Sequence, residues 1–182
     1  MTVIDPRITW SATEERLRHE TDPVLRRNLE LLLQHQQAEA ALDLDGLMAT
    51  VSDHARYCNF GGDADYELIG KAAVRDFYEQ FAASGAHRLH QDVDRLVVDE
   101  HCILTEGVIR IAYPGRTLLA KGITVDDPDA YYLYESRMAI IWPIGDDGLF
   151  IGEDSYTDRN GFDGIANRKI PPGAIVEYAG QL

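Results

Sequence analysis

GKAAVRDFYEQFAASGAHRLHQDVDRLVV, residues 70–98, changes its hydrophobic period halfway along. Val74, Phe77, Tyr78, Phe81 and Ala82 recur at i, i+3, i+4, i+7 and i+8, the spacing of one helix face. Gly70-Lys71 introduces that helix and Gly85 stops it. Beyond Gly85 the pattern becomes strand-like, with strands expected over residues 87–98, 102–113, 131–144 and 149–157. Asp99-Glu100-His101, Pro114-Gly115 and Gly145-Asp146-Asp147-Gly148 supply the turns.

Upstream of Gly70 the chain reads mostly as helix. Ser11 with Glu14 forms a capping-box pattern before a turn or two of helix over 15–20. Asp22-Pro23 starts a longer helix over residues 23–42, with Leu25, Leu29, Leu32, Leu33 and Ala40 on its apolar stripe. A short helix follows over 44–50, capped by Asp43 or Asp45. A strand over 55–60 then ends in the turn Gly61-Gly62-Asp63. Residues 116–129, which contain Asp126-Asp127-Pro128-Asp129, read as a long loop over a sheet edge. The order helices, strand, helix, four strands implies an α+β fold: a cone-like, curved, mainly antiparallel sheet with helices packed on its concave face, enclosing a pocket. One domain is expected over 1–182, with 1–22 an N-terminal extension and 159–182 a surface-wrapping tail.

Composition narrows the function classes. The net charge of −14 and the lack of a Lys/Arg cluster argue against a nucleic-acid partner. Apolar runs are only a few residues long, and the amino terminus shows no signal-peptide pattern, so no membrane is expected and a cytoplasmic location is. Cys58 and Cys102 fall in strand-like segments and read as reduced, structural thiols. No Gly-rich loop with phosphate-binding spacing and no nucleophile elbow occurs, so no cofactor is implied. His87 and His90 stand three apart on a strand and face opposite sides, so no metal site is read there.

Three segments resemble the SnoaL-like (nuclear transport factor 2-like) superfamily: Ala41-Leu42-Asp43-Leu44-Asp45-Gly46-Leu47 followed by Asp53-His54-Ala55-Arg56-Tyr57, then Gly70 to Tyr78, then Gly152-Glu153-Asp154-Ser155-Tyr156-Thr157-Asp158. That superfamily includes ketosteroid isomerases, polyketide cyclases, dehydratases and limonene epoxide hydrolases, so the resemblance implies a fold and leaves the reaction open. The general base of the ketosteroid isomerases matches Asn59, their helix Tyr matches His35, and their second oxyanion acid falls near Ile140. Tyr57-Cys58-Asn59 is similar to the water-holding Tyr-x-Asn pair of the epoxide hydrolases. Their Arg and Asp relay matches Gly107 and Ile109, and their last-strand Asp matches Ser155. His90 resembles the dehydratase His, and that enzyme's partner Asp falls near Ala40.

These residues define the candidate site. Tyr57 and Asn59 share a strand face and would hold an oxygen of water or ligand. His90 or Glu153 would move a proton, and a carboxylate in an apolar pocket gains a raised pKa suited to that work. Aligned to the epoxide hydrolases, Glu153 and Ser155 point inward and Asp154 outward; a one-residue slip would make Asp154 the inner acid. His35 is read as a ligand contact or a satisfied core residue, and Trp142 and Tyr132 as lining the pocket or the interface or filling the core. Three functions compete: a cofactor-free isomerase, cyclase, dehydratase or hydrolase on a small, mostly apolar organic molecule; a carrier of a small hydrophobic ligand; and an oligomeric interaction module. A homodimer through the convex sheet face is expected, because that face would otherwise expose an apolar patch.

Overall fold

A computed structural model describes residues 2–61 and 65–178. Its elements run α1 (Ile8–His19), α2 (Pro23–Ala41), α3 (Leu44–Met48), β1 (Val51–Phe60), β2 (Tyr66–Ile69), α4 (Lys71–Ala83), β3 (Leu89–Val98), β4 (Cys102–Pro114), α5 (Gly115–Ala120), β5 (Tyr131–Pro143) and β6 (Phe150–Thr157), with a 3-10 turn over Ile165–Asn167. Among the described residues, six strands form one open sheet in the order β2-β1-β6-β5-β4-β3. Every neighbouring pair is antiparallel except β1 with β6, which is parallel.

Local chemistry explains the helix boundaries. The Asp22 carboxylate accepts from the N–H groups of Val24 (2.8 Å) and Leu25 (3.2 Å), and Pro23 opens the first turn of α2. The Asp43 carboxylate caps α3 through the N–H of Gly46 at 3.0 Å. The capping box expected at Ser11 does not form. The chain turns earlier, with Ile8 N–H donating to Asp5 O and Thr9 N–H to Pro6 O, so Ser11 lies inside α1 and its hydroxyl donates to Ile8 O.

Three further boundaries differ from the sequence reading. β1 begins at Val51 and not at 55. β2 is a short, mostly exposed edge strand whose TyrGluLeuIle sequence lacks the alternation that marks a half-buried strand. The expected loop over 116–129 starts within α5, and the rest is pinned where the Tyr132 hydroxyl donates to Asp126 and accepts from Asp127 N–H (3.0 Å). The turn expected at Gly61-Gly62-Asp63 lies partly outside the described residues.

Sheet parity decides which side chains meet the helices. Ile103, Thr105, Gly107, Ile109 and Ile111 of β4 pair with Trp142, Ile140, Met138, Ser136 and Tyr134 of β5, and this row faces inward. Leu32 of α2 packs with Ile103, Ile140, Trp142 and Phe150. Val74 and Tyr78 of α4 pack with Ala38, Leu47, Val51, Ala55 and Tyr57. A Cβ on Gly107 would fall 1.9 Å from Asp92 O, so this glycine lets β3 close on β4 beside the bulge between Val93 and Arg95. The two chain ends meet: Ile4 bridges Ile175, and Trp10 packs edge-on against Tyr178 at 5.1 Å. Cys58 and Cys102 are free thiols. No helix among the described residues is long and apolar enough to cross a membrane.

Candidate active site

The helices do not fill the concave face. Between α2, α4, α5 and the sheet remains a cavity of about 530 Å³. Its walls carry Tyr66, Phe77, Tyr78 and Phe81 on one side and Tyr113, Tyr134 and Trp142 on the sheet. Strand register gives it a long axis. Ile141 pairs with Asp154, which sets Trp142 level with Glu153, while Tyr134 lies eight residues away along β5, about 26 Å at ~3.3 Å per residue. Lys121, over the Phe162 ring at 5.1 Å, belongs to the Tyr134 end.

Two carboxyl groups line this cavity: Glu39 from α2 and Glu153 from β6. Both are half-buried, opening on the space they line. Burial pushes the Glu39 carboxyl up to about 7. Burial, and then the charge of Glu39, push Glu153 up to about 8 against the opposing hydrogen bond from Ser155 Oγ to Glu153 Oε1 at 3.1 Å. Two acids that sense each other titrate as a pair, here near neutrality.

The neighbouring strand completes the acid end. In the parallel β1–β6 ladder Tyr57 stands beside Glu153 and Asn59 beside Ser155. Asn59 and Ser155 line the cavity. Tyr57 lies deeper, 3% exposed in the α3–α4 core, and its hydroxyl is buried without a hydrogen-bond partner. Burial, then Glu153, then Glu39, hold its phenol well above the usual range, so that hydroxyl is within electrostatic reach of the pair.

His35 is a core residue that reaches the cavity through another side chain. Thr50 Oγ1 donates to Leu47 O (2.6 Å) and so accepts from His35 Nδ1–H at 2.7 Å. That fixes the tautomer and leaves Nε2 to accept from the Tyr78 hydroxyl at 3.4 Å. Burial among Trp142, Phe150 and Tyr78 lowers the ring to about 3, so it stays neutral. Trp142 lines the cavity and donates from Nε1 to Thr105 Oγ1 at 3.3 Å.

The structure separates His90 and Asp154 from the other expected site residues. Leu89 and Gln91 face the cavity, so the alternation of β3 turns His90 to the opposite face. There Asp5 N–H donates to its Nδ1 at 3.2 Å, and burial lowers the ring to about 4. Asp154 likewise points out of the cavity, 3.9 Å from Arg56 Nη1, and Glu153 is the inner acid. Glu39 was missed by the sequence reading, although the acid expected on this helix fell one residue away at Ala40. Its spacing could have revealed it: Gln36 and Glu39 continue the i, i+4, i+7 row that starts at the core residue Leu32, and so carry polar groups inward from α2. Among the described residues no group of three or more His, Cys, Asp or Glu gathers as a metal site.

The fold is thus α+β: an open six-stranded sheet with helices over one face, around an aromatic, acid-bearing cavity. Residues 32–129 match the family model of the SnoaL-like domain, and the chain belongs to that family, as the sequence resemblance implied. Among solved structures, it is similar to a candidate SnoaL-like polyketide cyclase from Shewanella putrefaciens CN-32 (10% identity, 87% of this chain and 91% of that one, TM-score 0.60). A candidate polyketide cyclase from Xanthomonas campestris pv. campestris aligns at 19% identity over 79% of this chain and 97% of that one, TM-score 0.55. A protein with a ketosteroid isomerase-like fold from Catenulispora acidiphila DSM 44928, solved with trimethylamine, aligns at 11% identity over 70% and 84%, TM-score 0.53. At these identities the likeness speaks to the fold alone, bound molecule included. No curated protein matches the chain.

Proposed function

We propose that the protein is a cofactor-free enzyme that moves a proton on a small, mostly apolar organic molecule, as isomerases, cyclases and dehydratases do. The observation that carries this reading is the Glu39–Glu153 pair, held in one aromatic cavity with both acids brought near neutrality. At neutral pH such a pair supplies a carboxylate to take a proton and a carboxylic acid to return one. Asn59 and Ser155 position the reacting group beside it, and the buried Tyr57 hydroxyl stands behind the pair, within electrostatic reach of charge that develops there. Of the two groups the sequence offered for proton transfer, His90 or Glu153, this reading takes Glu153 and adds Glu39 as its counterpart.

Deuterium exchange from D2O into a panel of small aromatic carbon acids, followed by NMR, tests the reading. Wild type should exchange at least one member above background, with rate limbs near pH 7 and pH 8. Glu153→Gln and Glu39→Gln should each lower the rate by about 10²-fold or more. Binding of panel members with no exchange would replace this reading by that of a carrier. The unfilled cavity favours either over a module whose only role is assembly. We further propose a homodimer through the convex sheet face, where Phe60 and Tyr156 stack at 4.8 Å with 38% and 46% of their surface exposed.

A further inference from the structure

The polar groups that line the cavity are arranged asymmetrically. The Tyr78 hydroxyl donates to His35 Nε2, the Ser155 hydroxyl to Glu153, and Thr117 Oγ1 to Ser84 O at 2.7 Å. Asn59 Nδ2 donates to Gly61 O (3.3 Å), Gln91 Nε2 to Met138 O (3.3 Å), and Trp142 Nε1 to Thr105 Oγ1. Each of these six groups thus commits a donor hydrogen to the protein. The Tyr78 case is built in depth: the chain Tyr78, His35, Thr50, Leu47 carbonyl orients each hydroxyl in turn, and leaves Tyr78 to show the cavity its lone pairs.

The acceptors that a ligand meets at the inner end are the carboxyls of Glu39 and Glu153 and the hydroxyl oxygens of Tyr78 and Ser155. The rings of Phe77, Tyr78 and Trp142 line the same cavity. A carboxyl pair inside apolar walls is costly to ionise unless a cation joins it. Aromatic faces attract the same kind of charge. The lining cation, Lys121, belongs to the far end of the chamber and leaves the pair's end acceptor-rich.

We propose that the ligand of this cavity carries a basic nitrogen, with its ammonium between Glu39 and Glu153 and its apolar body along the aromatic chamber. The proposal rests on the reading of the cavity as a small-molecule site and names the chemical class of its occupant. Held by one carboxylate, the ammonium leaves the other free to act on a neighbouring C–H.

The test uses three probes of one shape on the full chain: 2-phenylethylamine, 2-phenylethanol and phenylacetate, with binding measured by calorimetry at pH 5.5 and pH 8.5. The groups that face the pair are Tyr57 of β1, Tyr66 of β2 and Tyr78 of α4, with His35 behind Tyr78 and Asp154 behind Glu153. The Tyr57 and Tyr78 phenols stay neutral over this range because burial raises them, and the His35 ring stays neutral because burial lowers it. The pair is therefore what changes charge. An alkyl ammonium stays protonated at both pH values, as a lysine does. The amine should bind at least tenfold tighter than the alcohol at pH 8.5, where the pair is mostly ionised, and amine binding at pH 5.5 should release protons from the pair. That preference should shrink several-fold at pH 5.5, and in both Glu39→Gln and Glu153→Gln, whose shape is conserved. Should one variant not fold, the other and the pH pair still decide.

Equal or tighter binding of the alcohol or of phenylacetate at pH 8.5 overturns the amine proposal and leaves the cavity a small-molecule site. So does an amine preference that both variants retain. Failure of all three probes to bind overturns the amine proposal and also counts against the reading beneath it.

Discussion

Tyr57 concentrates the tension between stability and chemistry in this protein. Its hydroxyl is buried beside two acids and makes no hydrogen bond, a placement that costs about 1–3 kcal/mol relative to a satisfied or absent group. Tyr57→Phe is therefore expected to raise the unfolding free energy by about 1 kcal/mol in denaturant titration while it lowers proton exchange. A destabilised variant would remove the hydroxyl from the site. His90 gives the opposite forecast. Because its ring faces Asp5 and not the cavity, His90→Gln should leave both limbs of the exchange rate profile in place. A lost limb would return His90 to the chemistry. Tyr57 and Asn59 were legible as a pair because strand parity is a local property. Glu39 was not, since which polar residue of a helix stripe meets a void depends on what the sheet leaves unfilled.

At the scale of elements, β3 and β4 are joined most closely at Gly107. Any side chain there would strike the Asp92 carbonyl, which a paired backbone cannot move aside. Gly107→Ala should cost about 2 kcal/mol or more, read as a fall in the urea midpoint, and widen the sheet next to Ile109 and Gln91 of the cavity wall. An unchanged midpoint would show that the bulge absorbs the methyl. α2 is capped independently, so Asp22→Ala should cost about 1 kcal/mol with no effect on ligand affinity. The long helices and strands were readable because their periods of 3.6 and 2 extend over ten residues or more. β2, α5 and the start of β1 were not, because short elements at a sheet edge take their pairing from neighbours and carry little pattern of their own.

For the whole molecule, four groups shifted to between about 3 and about 8 govern the pH dependence of stability around neutrality. Glu39 and Glu153 have folded values raised above the ordinary carboxyl range, to about 7 and about 8. Their stabilisation is complete below their unfolded pKa and is lost as pH rises through those values. His35 and His90 are lowered, to about 3 and about 4, so their stabilisation is present above the ordinary imidazole value and is lost as pH falls through the folded ones. The contributions oppose each other between the two unfolded values, and above them only the acids act. Thermal unfolding should therefore show Tm lower at pH 8.5 than at pH 6, with the fall reduced in Glu39→Gln and Glu153→Gln. A Tm that rises over that interval would contradict the raised acids. The assembly forecast belongs to the same scale. Light scattering should give a dimer at micromolar concentration, and Tyr156→Glu should shift it to monomer, whereas a wild-type monomer would end the proposal of a convex-face interface.

Hydrophobic period, glycine stops and helix caps are local, and from them the sequence alone determined an α+β layout, the face shared by Tyr57 and Asn59, and the family resemblance. The tertiary structure decided which acids meet. Glu39 and Glu153 are 114 positions apart in the chain, and only the packing of α2 over the inner face of the sheet brings both to one cavity. It also decided that His90 lies outside, because the phase of β3 against β4 is fixed by the whole ladder and by the N-terminal segment that covers its outer face. Their altered acidities follow from that burial, a property of the assembled core that no stretch of sequence carries by itself.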